Sequence, residues 1–596
     1  MANYNDDAKA CRVKLDDLSP SMCMAKWLQV SMHLPQGRTH SCYHPPTHPI
    51  PLDELKVNPN ALHNTKFKLE ERRQMKNGIR PEGCQYCWNV EDANKDALSD
   101  RHYRSSEWWV KDAWEEVVNS PWDHDISPRY VEVNFNQACN FKCAYCSPHL
   151  STAWEDDIKE NRPFLFSDGG GHNNIQELKT IGLMPLEVAR KDNPYIEAFW
   201  KWWPDAYPNL KIFRMTGGEP LMDKNTFKVL DYIRDNPNPD LEISLTTNMC
   251  PPDDALFDKF IEKVKLLEQP LISDNDNTVK EVDFAHLFKL PANPNYRNIL
   301  FYAKDPKDGS DWKEWPQYII EETLHGAEAC RIMPNTDVML WKDVTQTFKG
   351  LGPCEETDDN SFVYLSEYKK NPDWNIWDHV YNNVSCKHIS VFISVDSIGK
   401  QAEYIRDGLE WDKLKRNVNR LLSETTRVSV TFINTFNLLS VPSLRGFLDY
   451  ILETREKFGY KYQVEKRHKV LAQKVWFDVP YMRDPNWFNI QLCDDGMLDI
   501  IQQNINYMKT KVLNNMEYGV TYEGFKEYEV LKLERDLAWA KEGENIYEED
   551  LSNRLIRFYE YFEQYDQRRG LNFIETFPEM EEFWYEAQEE YREKYG

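Results

Sequence analysis

Residues 130–146 read Tyr-Val-Glu-Val-Asn-Phe-Asn-Gln-Ala-Cys-Asn-Phe-Lys-Cys-Ala-Tyr-Cys. The first six residues of this stretch have the composition of a short strand, and Cys139, Cys143 and Cys146 follow closely. Cysteines separated by three and then two residues fit on one tight loop. Thiolates are the usual ligands of a [4Fe–4S] cluster, which contains four irons. Three thiolates leave one iron without a protein ligand, and that iron can bind a chelating small molecule.

Strand-like and helix-like segments alternate along residues 126–480. Strands are predicted at 130–135, 210–215, 241–246, 388–395 and 427–433, and helices at 224–235 and 411–423. Alternation of this kind predicts an α/β fold with a parallel sheet, often curled into a full or partial barrel. In such barrels the chemistry lies on loops at the C-terminal ends of the strands.

Three parts of the chain differ in composition. Residues 1–125 are rich in Pro, His and Cys and show one clear helical pattern, at 69–77, so a metal site is expected to organise them. The core, 126–480, contains a long polar insertion at about 262–385. Residues 481–596 are acidic and helical in pattern, and their apolar stripe is expected to pack against the core.

The charge and hydropathy of the chain exclude some functions. The 596 residues include 72 Lys and Arg against 98 Asp and Glu, which gives a formal net charge of −26. Such an acidic surface repels polyphosphates and argues against a broad nucleic-acid interface. No apolar run reaches membrane-spanning length, and residues 1–15 lack a signal-peptide core. A cytoplasmic protein is expected, with its cysteines reduced or metal-bound.

Polar residues follow several of the predicted strands. The sequence Thr-Gly-Gly-Glu-Pro-Leu occupies residues 216–221, where the glycines allow close backbone approach and the carboxylate of Glu219 can pair with a cation. Ser394 and Asp396 end another strand, and Asn248 and Asn434 follow two more. Taken alone, the glycines are consistent with an ordinary turn and either Asn with a helix cap.

Together these motifs resemble the radical S-adenosylmethionine (SAM) superfamily, whose signature is C-x3-C-x2-C with an aromatic residue, here Tyr145, before the last Cys. The resemblance implies a partial (β/α)6 TIM-like barrel in which Cys139, Cys143 and Cys146 hold the catalytic cluster. The open iron would bind the amino and carboxylate groups of SAM. An electron, from a donor such as flavodoxin or ferredoxin, would then cleave SAM and yield a 5′-deoxyadenosyl radical that abstracts hydrogen from a substrate.

The resemblance also assigns SAM contacts. Gly217, Gly218, Glu219 and Pro220 correspond to the family's GGEP motif, which receives the SAM ammonium group. The remaining positions correspond to groups near the SAM ribose or carboxylate: Ser394, Asp396 and Asn434. Cys250 is a candidate hydrogen-atom donor, although a cysteine in such a position is more often a packed thiol.

A second cysteine set lies in residues 1–125 and comprises Cys23, Cys42, Cys84 and Cys87. The spacing around Gly37 resembles a twitch domain, the shorter relative of the SPASM domain, which carries an auxiliary [4Fe–4S] cluster. In most members of that family this domain follows the barrel, whereas here it precedes it. Tetrahedral zinc remains an alternative at this set, because a CxxC pair with two further thiols suits zinc and His44 and His48 are possible ligands.

Two other classes of function remain open from the sequence. A zinc-binding interaction protein would use the same thiols, with His149 as a fourth ligand. An iron–sulfur electron-transfer protein would keep the clusters without cleaving SAM. Because twitch and SPASM relatives often modify peptides or proteins, the resemblance favours a peptide or protein substrate.

Overall fold

The computed structural model describes residues 2–268, 385–425, 427–458, 474–512 and 524–596, together with the backbone of five short strands between residues 299 and 364. These five strands form a separate antiparallel sheet within the predicted insertion. The helix Asp254–Glu268 extends the core into the first residues of the segment predicted as an insertion. In the described ranges, the structure contains no helix long and apolar enough to cross a membrane.

One nine-stranded sheet organises the molecule. In spatial order its strands are Val475–Asp478, Val428–Ile433, Cys386–Ser394, Asn238–Thr247, Ile212–Thr216, Tyr130–Asn134, Gln29–His33, Arg38–His40 and His48–Pro49. The first seven are parallel to their neighbours, and the last two add an antiparallel edge. The predicted α/β class and its parallel sheet are therefore confirmed.

Helices connect the parallel strands, as the alternating sequence pattern predicts. The helices of ten or more residues are Ala2–Leu18, Lys66–Lys76, Thr152–Asn161, Pro194–Ala206, Lys224–Asp235, Asp254–Glu268, Trp411–Glu424, Leu444–Phe458, Asp495–Thr510, Glu527–Lys541, Glu548–Arg569 and Glu581–Tyr595. The helix Lys224–Asp235 matches its predicted bounds, because Asp223 caps its first turn through the amide of Asn225 and apolar residues recur along one face.

The two faces of the sheet differ in chemistry. Side chains alternate across each strand, so one face presents apolar residues that are almost fully buried, such as Val131, Phe213 and Val391. The opposite face presents Glu132 and Arg214, which are half-buried. One face of the sheet therefore packs in the hydrophobic core, and the other face is available to ligands.

Residues 1–125 extend this sheet rather than forming a sheet of their own. The strand Gln29–His33 pairs in parallel with Tyr130–Asn134 over five residue pairs. The helices of this segment enclose a second apolar cluster that includes Trp27, Trp109 and Tyr130. The N-terminal segment and the core therefore share a sheet and meet at Tyr130.

The C-terminal region is fastened to the core by a fully buried ion pair. Arg455, on the helix Leu444–Phe458, directs Nη2 to Glu529 Oε1 at 2.6 Å and Nη1 to Oε2 at 3.1 Å. Both side chains have no solvent exposure. The bidentate geometry makes this pair specific. Because the pair is buried, removal of either residue leaves the charge of the other uncompensated.

Replacing Glu529 by Ala is expected to lower the free energy of unfolding by about 3–5 kcal/mol, because it leaves the buried guanidinium of Arg455 without its counter-ion. Urea unfolding followed by circular dichroism measures this loss. The control is Glu197→Ala, which removes an exposed partner of Lys201 and should leave stability unchanged. Similar stability of the two variants would contradict the importance assigned to the buried pair.

Candidate functional site

The strand ends bring the predicted motifs to one edge of the sheet. The cysteine loop (residues 135–151) follows the strand Tyr130–Asn134, and the glycine loop (residues 217–221) follows the strand Ile212–Thr216. The next three parallel strands are followed by Asn248, Asp396 and Asn434. Because neighbouring strands run parallel, all five loops lie at their common C-terminal edge.

The cysteine loop is held through its backbone. Ser151 caps the helix Thr152–Asn161 and donates its hydroxyl to the carbonyl of Phe141 at 2.7 Å. The indole of Trp154 donates to the carbonyl of Cys143 at 2.9 Å, and the amide of Cys139 donates to the Thr152 hydroxyl at 3.2 Å. These bonds fix the path of the loop while leaving the thiols available as ligands.

Two tyrosines of the C-terminal helix Glu548–Arg569 contact the same region. The Tyr561 hydroxyl donates to the carbonyl of Ala144 at 2.6 Å, and the Tyr565 hydroxyl lies 2.9 Å from the carbonyl of Tyr404. Both tyrosines are fully buried. The sequence identified this helix only as an apolar stripe that packs on the core, and the two phenolic contacts are a feature that it did not reveal.

The three thiols of the cysteine loop lie in low-polarity surroundings. Burial raises the pKa of Cys139 to about 12 and also raises the pKa values of Cys143 and Cys146 above the usual range. A bound metal centre would reverse this effect by stabilising the thiolates. Among the described residues, no three or more His, Cys, Asp or Glu side chains are arranged to hold a single metal ion. A cluster of four irons is larger than one ion, so its ligands lie further apart.

The glycine loop packs directly on the start of the cysteine loop. The amide of Glu219 donates to the carbonyl of Ala138 at 2.6 Å, and the amide of Gly218 donates to the carbonyl of Asn136 at 3.3 Å. Gly217 has a φ of +122°, which side chains rarely adopt, and a Cβ at Gly218 would overlap the Ala138 carbonyl oxygen. Both glycines are therefore required for the two loops to meet.

Glu219 is a buried carboxylate surrounded by neutral donors. Its oxygens accept from the Leu221 amide at 3.0 Å, the Thr247 hydroxyl at 2.7 Å and the Asn248 amide at 2.7 Å. Burial raises its pKa to about 7. No Lys, Arg or His of the described chain forms an ion pair with it, so its charge suits a cationic ligand. Pro220, predicted with it, begins the short turn that follows.

A buried network surrounds Asp396, Arg406 and Tyr145. Asp396 accepts from Arg406 Nη2 at 3.0 Å, from the Tyr145 hydroxyl at 2.8 Å and from the Thr435 amide at 2.9 Å. Arg406 Nη1 also lies 3.6 Å from the sulfur of Cys143. The network places a permanent positive charge beside one thiol, and Asp396 holds that charge in position. The ribose contact predicted for Asp396 stays a prediction, because both of its oxygens have protein partners here.

The other predicted ligand positions differ in their surroundings. The Asn434 side chain is fully buried, donates to the Asp396 carbonyl at 3.0 Å and accepts from the Ser440 hydroxyl at 3.2 Å. Asn248 donates to Asn140 Oδ1 at 3.0 Å. Ser394 is half-buried at the strand end. The contacts of both Asn residues are thus to loop groups that shape the site, and the SAM contacts predicted for Asn434 and Ser394 stay predictions.

Cys250 is buried beside these loops. Its carbonyl accepts from the Asn140 side chain at 2.8 Å, and its thiol lies 3.6 Å from the carbonyl of Glu410. Burial raises its pKa to about 12. These contacts are those of a packed thiol, and a role as hydrogen-atom donor stays a prediction.

The second cysteine set lines one cavity in the N-terminal segment. Its wall contains all four predicted thiols together with three buried or half-buried cations; the residues are Cys23, Cys42, Cys84, Cys87, Lys26, Arg101 and Arg104. Lys26 is fully buried and lies 2.7 Å from Glu71. Cations around four sulfur ligands suit a centre that carries net negative charge. The sequence indicated the thiols and gave no sign of the cations.

The histidines considered as zinc ligands have other partners. His48 lies 2.8 Å from the Thr65 hydroxyl, and His149 lies 2.9 Å from the Ser147 hydroxyl. His44 lines the cavity of the second cysteine set, where it lies 2.5 Å from Asp100 and stacks on Tyr86. His44 stays open as a ligand in this cavity, because a metal-bound histidine commonly donates its second ring nitrogen to a carboxylate.

Comparison with known proteins gives one limited similarity. A segment of 119 residues is 29% identical to GTP 3',8-cyclase from Campylobacter lari and covers 20% of this chain and 27% of that protein. The chain thus matches about a quarter of the length of this curated relative. No protein-family model matches the sequence, and no solved structure matches the chain. The similarity supports a relationship to the radical SAM superfamily and does not identify a narrower family.

Replacing Gly218 by Ala is expected to separate the glycine loop from the cysteine loop, because the new Cβ would lie 2.7 Å from the Ala138 carbonyl carbon. Hydrogen exchange at residues 138–146 should become faster in this variant. The control is Gly170→Ala, whose Cβ would meet only the movable ends of Asp168 and Arg557 at 2.9 and 3.1 Å. Unchanged exchange in the Gly218 variant would show that the two loops do not depend on this contact.

Proposed function

We propose that this protein is a radical SAM enzyme, in which the cysteine loop holds a [4Fe–4S] cluster with one open iron. The observation that carries the proposal is the meeting of that loop with a buried carboxylate, Glu219, that has no cationic partner in the part of the chain that the structure describes. A cluster with an open site and a ligand with an ammonium group would satisfy both features at once. When bound there, the cluster and SAM would supply the reductive cleavage that produces a 5′-deoxyadenosyl radical.

The residues of the site have distinct roles in this proposal. Cys139, Cys143 and Cys146 bind the cluster, and Glu219 orients the ammonium group of SAM by charge. Gly217 and Gly218 bring the backbone close enough for this contact. Cluster potentials depend on nearby charge and on hydrogen bonds to sulfur, so the Arg406 guanidinium beside Cys143 favours the reduced form.

The second cysteine set fits an auxiliary [4Fe–4S] cluster of the twitch type. Four thiols leave no iron open, which assigns this centre to electron transfer or structural support rather than SAM cleavage. Lys26, Arg101 and Arg104 line the cavity as well, and each also has an acidic partner in the protein. An external donor of the flavodoxin or ferredoxin type would supply electrons. A peptide or protein substrate is proposed on the family resemblance.

Replacing Cys143 by Ala should abolish 5′-deoxyadenosine formation from SAM, because two thiols do not retain the cluster. The protein is reconstituted anaerobically with iron and sulfide, reduced with dithionite, and the product is measured by chromatography. Cys386→Ala is the control, since this buried thiol lies on a strand of the sheet and outside both cysteine sets. Undiminished product in the Cys143 variant would refute the site, and redox activity without product in the wild type would indicate an electron-transfer protein.

Replacing Cys84 by Ala should remove the auxiliary cluster while leaving measurable SAM cleavage. Iron content per chain should fall by about half relative to the wild type, because one of two equal clusters is lost. Zinc analysis on the same samples tests the alternative metal. Stoichiometric zinc that disappears in the Cys84 variant, with unchanged iron, would show that the N-terminal set is a zinc site.

A further inference from the structure

One face of the sheet carries a continuous polar row, in which Ser31, Ser244 and Ser429 are buried. Strand register aligns six residues across six neighbouring strands: Ser31, Glu132, Arg214, Ser244, Ser390 and Ser429. In each strand the residues before and after the row point to the other face of the sheet. They are apolar and buried; Val131 and Phe213 are examples. A row of hydroxyls with one charged pair is unusual at the centre of a large sheet, where apolar side chains normally pack.

The centre of this row is accessible to ligands. The side chain of Arg214 is 25% exposed and that of Glu132 is 16% exposed, although both lie on inner strands. Ser390, Thr246 and Phe392, their neighbours on the same face, are also half-buried. The described residues therefore leave room above the middle of the sheet.

The donors of Arg214 are incompletely used by the protein. Its Nη2 donates to the Thr246 hydroxyl at 3.2 Å, and its guanidinium lies 4.7 Å from the Phe392 ring. Its Nε is 3.5 Å from Glu132 Oε2 and has no hydrogen-bond acceptor among the described residues, although it is buried. The Tyr130 side chain also hydrogen-bonds the guanidinium, and Glu132 interacts with it by charge. A guanidinium carries more N–H donors than these partners use, so donors remain for a second anion.

Along the strand direction, the row lies between the two cysteine sets. At their C-terminal ends the strands lead into the cysteine and glycine loops, which follow Asn134 and Thr216. At the N-terminal ends of the strands Tyr130 and Ile212, on the same face, pack against the apolar cluster of the N-terminal segment. The Tyr130 hydroxyl meets that of Tyr43, the residue next to Cys42. A molecule on this face would thus have one cysteine set at either end.

We propose that this face binds the substrate, and that Arg214 receives a carboxylate of a polar substrate whose amide groups pair with the half-buried hydroxyls of Ser390 and Thr246. The inference rests on the proposed radical SAM function and adds a substrate class to it. The guanidinium offers two parallel donors to a carboxylate, and Phe392 supports its flat face. Glu132 holds Arg214 toward the row when no substrate is bound.

The test uses two probes that differ only in charge, N-acetylglycylglycine and its C-terminal amide, with the full-length reconstituted protein. Binding is measured by saturation-transfer NMR for the wild type, for Arg214→Gln and for Arg234→Gln, an exposed arginine on a distant helix surface. The acid should bind the wild type and the Arg234 variant alike. The Arg214 variant should bind the acid at least about tenfold more weakly than the wild type does, since a charge-assisted hydrogen bond is lost. For the same reason the wild type should bind the amide at least about tenfold more weakly than the acid.

A second readout separates this inference from the function on which it rests. SAM cleavage without substrate, measured as 5′-deoxyadenosine in the wild type, tests the proposed function separately from substrate binding. Equal binding of acid and amide, or binding of the acid that does not depend on Arg214, overturns the substrate site while leaving SAM cleavage intact. Absence of SAM cleavage in the wild type overturns the proposed function itself.

Discussion

The candidate site depends on one constraint: the cysteine loop is fixed by bonds to its backbone. Ser151, the last residue of the loop, and Trp154, in the following helix, bind carbonyls of the loop, and Tyr561 does so from the C-terminal helix. None of these bonds uses a thiol. The loop can therefore keep its three sulfur ligands on one short arc without a fourth, and the rest of the proposed chemistry follows from that arrangement.

Buried charge is the second organising feature, and the two carboxylates of the site are treated differently. Asp396 has Arg406 as a counter-ion within the protein, whereas the partners of Glu219 among the described residues are neutral donors. A buried carboxylate without a cation is costly, and a cationic ligand removes that cost. In the proposed function Asp396 positions Arg406 beside Cys143, whereas Glu219 receives the ammonium group of SAM.

The sequence predicted the parts of the molecule that local patterns encode. The helix Lys224–Asp235 and the strand Tyr130–Asn134 follow from periodicity and flanking residues, and the cysteine loop follows from spacing. The strands Gln29–His33 and Val475–Asp478 were not predicted, because each is short and their pairing partners are distant in sequence. Arg406 reaches Cys143 only because residues 406–407 pair with 142–143, a long-range contact that no local pattern encodes.

In the proposed function, one iron of the cluster at Cys139, Cys143 and Cys146 has no protein ligand. The most direct measurement is the electron paramagnetic resonance spectrum of the dithionite-reduced, anaerobically reconstituted protein, recorded with and without SAM. Direct coordination of SAM to that iron should change the g-values of one cluster signal while any signal from the N-terminal set stays the same. A cluster spectrum that saturating SAM leaves unaltered would contradict the account.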